Sequence, residues 1–350
     1  MALLWVDGFE SYGSVNAAPS PAGVLRSKYN VENEDTMTIN EGRFSGLKCI
    51  TLTTVGNVIA TPALTSNRTL ICGIAFKLSS TSEASYSLLS FRVPSLDGAT
   101  IGYSSMDVWV TGNTDLRVVL NNSTVNSTSG LGLTSDTWYY LEFKVYCDNS
   151  SGTYDVELDG ASVMSGTGVD TQFGSLNYYT SVVLVGVAGT VDISYDDMYI
   201  CDGSTGDNND ILGDCTVKDL RPNGDASGNW TANSASNLYE EVDEAERDDD
   251  SFIYTNTSGN QQIFEYTSAA GSLDVKGIMV STETILDANK GIGYKHVSQQ
   301  GTGTINESSL NCPAGLDNVL THTEIFDKDP DDNSWNTSLM QGARFGVEML

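Results

Sequence analysis

The chain has 350 residues, of which 39% are hydrophobic and only 18% are charged, so it is long enough for two domains that each bury a core. Its 46 acidic residues outnumber its 17 basic residues, which gives a formal net charge of -29. A surface of this charge repels phosphate backbones and anionic lipids, so we expect neither nucleic acid nor a membrane as a partner.

The first residues, Met1-Ala-Leu-Leu-Trp5-Val, are followed at once by Asp7 and contain no basic region and no long apolar run. We therefore expect no secretion signal and no membrane segment, and synthesis in a cytoplasm. In that setting buried free thiols are favoured over disulfides, and no Cys-x-x-Cys spacing suggests zinc or redox chemistry. The six cysteines are Cys49, Cys72, Cys147, Cys201, Cys215 and Cys312.

Strand patterns recur along the first two hundred residues and are separated by Gly, Asn, Asp and Ser. Apolar and polar residues alternate within them, as is typical of half-buried antiparallel strands, and long amphipathic helices are missing. Many short strands at this spacing predict a sandwich or jelly roll. The predicted strands are 70–78, 86–93, 107–111, 116–120, 138–146, 153–158, 181–187 and 192–200.

Exposed aromatic side chains offer one candidate binding surface. Trp109, Tyr178 and Tyr179 are predicted to form a platform on which a sugar ring stacks. Packing within the core is the alternative explanation for the same three residues.

One strand carries three acids at alternate positions, Asp155, Glu157 and Asp159, which project from one face. Laminarinase-like glucanases use paired carboxylates on one strand to cut β-glucan. Here the intervening Val156 and Leu158 form the core-facing set, so we expect the acids on the solvated side. The glycine that follows Asp159 favours a hairpin turn. The pattern therefore predicts a structural strand and no catalytic residues.

The clearest boundary in the chain is a stretch of turn-forming residues near 202–214. It predicts a first domain over 1–203, an acidic linker over 204–214 and a second domain over 215–350. Further strands are predicted at 263–266, 275–284, 291–298, 320–326 and 345–349, an exposed acidic loop at 239–251, and a capped helical turn at 333–339.

The acidic linker also gives the only metal prediction. Asp202, Asp207, Asp210 and Asp214 supply the oxygen ligands that Ca²⁺ prefers, although Asp and Asn are equally typical of an interdomain turn. No other cofactor is predicted. The two histidines, His296 and His322, lie inside strand-like segments and are predicted to be structural.

Several motifs resemble known proteins. Trp5-Val-Asp7-Gly8-Phe9-Glu10-Ser-Tyr12, Trp138-Tyr-Tyr-Leu-Glu-Phe-Lys-Val and Ile193-Ser-Tyr-Asp196-Asp197-Met-Tyr199-Ile resemble the concanavalin A-like (laminin-G-like) jelly rolls of phage structural proteins. In the second half, Leu212-Gly-Asp214, Leu220-Arg-Pro-Asn-Gly224, Asp248-Asp-Asp250, Trp335 and Phe345-Gly-Val-Glu348 are similar to virion proteins of tailed phages.

This resemblance implies an all-β chain with an N-terminal concanavalin A-like jelly roll and a second β-sandwich domain. It implies a non-enzymatic protein of the virion surface, made in the host cytoplasm. We expect a tail fibre or baseplate appendage that contacts other virion proteins, forms a homo-oligomer (a trimer is favoured), and attaches to host-surface glycan. The alternatives are a capsid decoration protein, as head fibre or cement, and a glycan-degrading enzyme of the laminarinase type. The resemblance carries over no catalytic residue.

Overall fold

A computed structural model gives the structure of the chain. It describes residues 2–13, 22–54, 56–81, 85–94, 103–120, 123–187, 191–204, 206–245, 250–267, 273–285, 293–308 and 320–350. The chain divides into two compact units, Met1–Lys218 and Asp219–Leu350, which we call the first and second units. Among the described residues, no helix is long and apolar enough to span a bilayer.

The first unit consists almost entirely of antiparallel strands. Its strands are β1 Leu3–Asp7, β2 Asn30–Glu32, β3 Thr38–Glu41, β4 Lys48–Leu52, β5 Val58–Ala60, β6 Thr69–Leu78, β7 Tyr86–Val93, β8 Tyr103–Val110, β9 Leu116–Leu120, β10 Ser123–Ser127, β11 Trp138–Tyr146, β12 Gly152–Leu158, β13 Ala161–Val169, β14 Ser181–Val185 and β15 Ile193–Cys201. In the described part of this unit, the helix α1 Ala22–Lys28 and the 3₁₀ helix Glu34–Thr36 interrupt them.

These strands form two sheets. The first sheet has eight strands in the order β13-β12-β11-β6-β15-β4-β3, with β1 paired to β15, and the second has seven in the order β10-β9-β8-β7-β14-β5-β2. Neighbours that are far apart in the chain, such as β6 and β15, give the sheets jelly-roll connections. The predicted all-β jelly-roll sandwich is confirmed.

Apolar side chains from both sheets meet in the core. Phe91 of β7 stacks on Phe143 of β11 with ring centroids 4.8 Å apart, and the Tyr195 hydroxyl of β15 donates to the Leu88 carbonyl at 2.8 Å. All three rings are fully buried. Because these contacts join the two sheets, they show which side chains of each strand point inward, and the residues between them point outward.

The N-terminal motif around Asp7 has a structural role in the first unit. The Asp7 carboxylate is 5% exposed and accepts hydrogen bonds from the hydroxyls of Tyr12 and Tyr29, each at 2.6 Å, while Lys28 lies 2.9 Å away. Asp7 also accepts the backbone N–H of Phe9 at 2.8 Å. A buried carboxylate needs such partners, so the motif anchors the first strand to helix α1.

The acidic strand β12 has the predicted alternation of burial. In β12 the burial alternates, with Tyr154, Val156 and Leu158 buried while the residues between them are partly exposed. Asp159 and Gly160 have φ values of 50° and 74° and form the hairpin turn to β13.

The second unit is a smaller sandwich. Its strands are β16 Pro222–Gly228, β17 Thr231–Ala232, β18 Ile253–Tyr254, β19 Gln261–Tyr266, β20 Ile278–Thr284, β21 Tyr294–Gln300, β22 Ile305–Glu307, β23 Leu320–Phe326 and β24 Ala343–Met349. Its helices are the 3₁₀ helix Tyr239–Glu241 and α2 Thr337–Met340, which the Asn336 side chain caps. The helical turn predicted over 333–339 is thus present, but it begins at Thr337. A five-stranded sheet, β16-β19-β24-β21-β22, is accompanied by two separate two-stranded sheets, β17-β18 and β20-β23.

The core of the second unit lies between its sheets. Trp335, Met340, Ala343 and Phe345 form a buried cluster, against which Ile278 and other partly buried side chains pack.

The prediction of an exposed acidic loop over 239–251 is wrong for Glu241. This residue is only 1% exposed, since it accepts backbone N–H groups of residues 234, 235 and 252. Residues 246–249 of that loop lie outside the described residues.

The cysteines follow the prediction where the structure describes them. Cys49, Cys72, Cys147 and Cys201 are buried thiols outside any disulfide, and Cys215 is a half-buried thiol outside any disulfide. Burial raises the pKa of the Cys49 and Cys147 thiols to about 11, which makes them unreactive at neutral pH. Cys312 lies outside the described residues.

Candidate functional site

The candidate site lies on the face of the second sheet that points away from the first sheet. Met106 of β8 is the cross-strand partner of the inward-pointing Phe91, so Met106 points inward as well. Side chains alternate along a strand, which places Asp107 and Trp109 on the opposite, outer face. Arg117 of β9 shares this face because it is the cross-strand partner of Trp109.

Three residues form one row across neighbouring strands of this face. Ser87 of β7 pairs with Trp109 of β8, and Trp109 pairs with Arg117 of β9. Directly paired residues have adjacent side chains on the same face of the sheet. We call Ser87, Trp109 and Arg117 the outer row.

Each member of the outer row has a polar atom that is buried and lacks a hydrogen-bond partner in the described structure. These atoms are Oγ of Ser87, Nε1 of Trp109 and Nε of Arg117. Buried polar atoms of native proteins are nearly always hydrogen-bonded, and the exceptions call for a specific explanation. Three such atoms in a single row therefore give this face hydrogen-bonding capacity that the described part of the chain does not use.

Arg117 is held in place by the indole. Its guanidinium carbon lies 4.8 Å from the centre of the Trp109 ring. A guanidinium within about 6 Å of an aromatic ring face is attracted by the ring quadrupole. The stacking orients the planar group while leaving the N–H donors at its edge available.

Charged and polar residues continue the outer face beyond the row. Asp107 is 4% exposed, and its cross-strand partner Ser90 is fully buried. The Arg92 side chain donates from Nε to the Ser90 hydroxyl at 3.3 Å. Burial lowers the pKa of Arg92, while the nearby carboxylates of Asp107 and Glu32 act in the opposite direction. The face therefore combines opposite charges beside the aromatic ring.

The three residues of the predicted aromatic platform differ in burial. Trp109 is half-buried on the outer face, but Tyr179 is fully buried, packs against Phe91 at 5.8 Å and donates its hydroxyl to the Thr171 carbonyl. The prediction for Tyr179 as a sugar platform is therefore wrong, because its ring belongs to the core. Tyr178 is half-buried, and no ring contact in the described part of the chain joins it to Trp109.

The four carboxylates of the predicted calcium loop do not come together in the described structure. Asp210 pairs with Lys144 at 2.6 Å, Asp214 pairs with Arg43, and Asp202 accepts the backbone N–H of Ser204. Within the described ranges, no three His, Cys, Asp or Glu side chains are grouped so that they could hold a metal ion, so Asp207 belongs to no such group. Asp210 and Asp214 are held apart because they bind different basic residues of the first unit, Lys144 and Arg43.

The same contacts change the role of the predicted linker. Residues 204–214 belong to the first unit, and the division between the units falls after Lys218. Residues 211–217, which we call the strap, are fastened to the outer face of the first sheet. Glu142 accepts the backbone N–H of Gly213 at 2.8 Å, and Asp197 accepts that of Val217 at 2.7 Å.

The groups beneath the strap form a buried acidic cluster that sequence analysis missed. Tyr199 donates its hydroxyl to Glu142 and accepts the backbone N–H of Leu212 at 2.9 Å. Burial raises the pKa of Asp196 to about 8 and that of Asp197 to about 6, and it also raises the pKa of Glu142. Since Arg43 lies 3.6 Å from Asp197 and also binds Asp214, this cluster holds the strap in place.

Comparison with known proteins yields structural similarities alone. No family model matches the chain, and no curated protein matches it. An endo-β-1,4-glucuronan lyase from the fungus Trichoderma reesei is 16% identical with a TM-score of 0.40, covering 55% of this chain and 93% of its own. Alginate lyase Aly36B is 12% identical with a TM-score of 0.44, covering 56% and 95%. The carbohydrate recognition domain of Emp47p is 14% identical with a TM-score of 0.37, covering 56% and 96%. Similarities this distant carry no argument about what this chain does.

Proposed function

We propose that the first unit binds a glycan at the outer row. The observation that carries this proposal is the row itself: Ser87, Trp109 and Arg117 present three buried, unpartnered polar atoms beside an aromatic ring. Binding sites for small polar molecules combine aromatic surface with a few fixed polar groups, and an indole contributes both a ring and an N–H donor. A saccharide supplies both counterparts, since its hydroxyl oxygens accept hydrogen bonds and its C–H groups pack on the ring.

We also propose that this binding serves attachment without catalysis. The three acids of the β12 strand and its turn lie on the first sheet, whereas the outer row lies on the second. Glu142, the cross-strand partner of Glu157, is buried and bonded to Tyr199 and the strap. Release of reducing sugar from a bound polysaccharide, abolished by Glu157→Gln, would overturn this part of the proposal.

The setting that we propose is the surface of a tailed-phage particle, in a tail fibre or baseplate appendage that assembles as a trimer. This rests on the motif resemblance of the two halves. Light scattering of the purified chain should give a trimer mass that EDTA leaves unchanged, because the four carboxylates of the predicted calcium loop lie apart from one another in the described structure. A monomer in both buffers would contradict the trimer. Absence of the chain from purified particles of the virus that encodes it would contradict the setting.

Binding itself is tested on a panel of immobilised polysaccharides with Trp109→Ala and a matched control. Trp138 and Lys77 form a second cross-strand pair, with Lys77 Nζ 4.9 Å from the Trp138 ring centre, but on the first sheet. Trp109→Ala should lose binding of any polysaccharide that the wild-type chain retains, while Trp138→Ala should keep it. Equal binding by the two variants, or no binding by the wild-type chain to any member, would refute the glycan site.

A further inference from the structure

The side chain of Arg117 differs from other arginines of this acidic chain. Arg68 pairs with Asp148 at 2.5 Å, Arg221 with Asp219 at 2.9 Å, and Arg344 with Glu265 at 2.6 Å. Arg117 has neither a hydrogen bond nor an ion pair within the part of the chain that the structure describes, and its guanidinium stacks on Trp109 instead. With 46 acidic residues against 17 basic ones, a half-buried arginine without a carboxylate partner is unexpected.

The outer row is also biased toward donors. An indole nitrogen and a guanidinium can donate hydrogen bonds but cannot accept them, and a serine hydroxyl can do either. A ligand that satisfies Trp109 Nε1 and Arg117 Nε must therefore present acceptors. An ionised carboxylate is a pure acceptor, and its two oxygens match the fork of a guanidinium in a bidentate pair.

We infer that the ligand of the outer row is an anionic saccharide and that Arg117 binds its carboxylate. This inference rests on the proposed glycan site and adds the substrate class to it. A neutral sugar would use the donors of the row but would leave the half-buried cation without a counter-charge. A carboxylated sugar supplies the acceptors and the charge together, and the stacked guanidinium loses little freedom when it binds.

The experiment compares each carboxylated polysaccharide with its own methyl ester, so that size and hydroxyl pattern stay constant. The probes are alginate, polygalacturonate and hyaluronan, their methyl esters, and the neutral polymers dextran, laminarin and mannan. Binding is measured by biolayer interferometry with the full chain. We expect at least one carboxylated probe to bind tenfold or more tightly than its ester.

Two variants locate that preference. Arg117→Gln should lower affinity for the acid form to that of the ester while leaving affinity for the ester within twofold, and Arg117→Lys should fall between Arg117→Gln and the wild type. Equal binding of acid and ester by the wild-type chain, or binding to neutral polymers alone, would overturn the anionic class and leave the glycan site standing. No binding to any probe would refute both. The comparison of acid with ester is made on the wild-type chain. It therefore still tests the anionic class if Arg117→Gln fails to fold.

Discussion

The guanidinium of Arg117 lies over the indole of Trp109, 4.8 Å from the ring centre, and the two residues face each other across strands β8 and β9. The side chain that offers the charge is therefore positioned by the side chain that offers the ring. Ordering a long arginine side chain on binding costs about 0.5–1.5 kcal/mol, and stacking in the free protein reduces that cost. The row is thus preorganised on rigid strands.

Ser87→Ala should separate stability from binding. The buried Ser87 hydroxyl has no hydrogen-bond partner in the described structure, so its removal should leave the free energy of unfolding unchanged or raise it by about 1 kcal/mol. The same change should weaken glycan binding several-fold. Urea unfolding and interferometry measure the two effects.

Ser90→Ala is the matched control for this test. Ser90 lies on the same face and accepts a hydrogen bond from Arg92, so its removal should lower the free energy of unfolding by about 1 kcal/mol. A loss of stability in Ser87→Ala as large as that in Ser90→Ala would mean that the Ser87 hydroxyl is satisfied within the protein.

Gly73→Ala should damage the strap through one close contact. A Cβ atom at Gly73 would lie 2.1 Å from the Tyr199 ring, which binds Glu142 and the backbone of the strap. Displacing that ring should cost about 1–3 kcal/mol of stability and speed hydrogen exchange at Leu212 and Gly213. Gly160→Ala, in an open turn with a φ of 74°, is the comparison: it should cost about 1 kcal/mol and leave exchange in the strap unchanged. Unaltered exchange in Gly73→Ala would contradict the role of Tyr199.

Local alternation made the strands predictable, since residues 138–146 and 116–120 have the predicted bounds. It could not assign Glu142, because alternation places that residue on a solvated face and the strap that covers it lies about seventy residues later. Tyr179 and Trp109 are both aromatic, but their different burial depends on Phe91 and on strand register. Arg117 gave no signal by itself, since only cross-strand pairing places it on the indole.

Stability of the first unit should fall as pH rises from about 4 to above 8. The pKa values of Asp196 and Asp197 are raised to about 8 and about 6 in the folded state, chiefly by burial, whereas the unfolded carboxyls titrate near 3.8. Between these values the folded state binds more protons than the unfolded state, so each further rise in pH favours unfolding. Carbon-13 titration of the two carboxyls checks the premise, and hydrogen exchange at the amides of the central strand β11 measures the consequence. Slower exchange at pH 8 than at pH 5, after correction for the intrinsic rate, would contradict it.

The buried His296 of the second unit should make the stability of that unit depend on pH in the opposite direction. His296 is fully buried, with Nε2 2.7 Å from the Thr282 hydroxyl and its ring edge-on to Tyr294, and burial together with the nearby His322 lowers its pKa to about 4. An unfolded histidine titrates near 6.5, so between pH 6.5 and 4 the unfolded state binds the additional proton. The contribution of neutral His296 to the free energy of unfolding of this unit should therefore be fully present above pH 6.5 and should decline as the pH falls toward 4. His296→Gln, which can still bond to Thr282 but does not titrate, should flatten that decline. Exchange mass spectrometry follows peptides of each unit in the same sample. If the β20 and β21 peptides lose protection from exchange to the same extent at low pH in wild type and in His296→Gln, the loss of stability must come from groups other than His296.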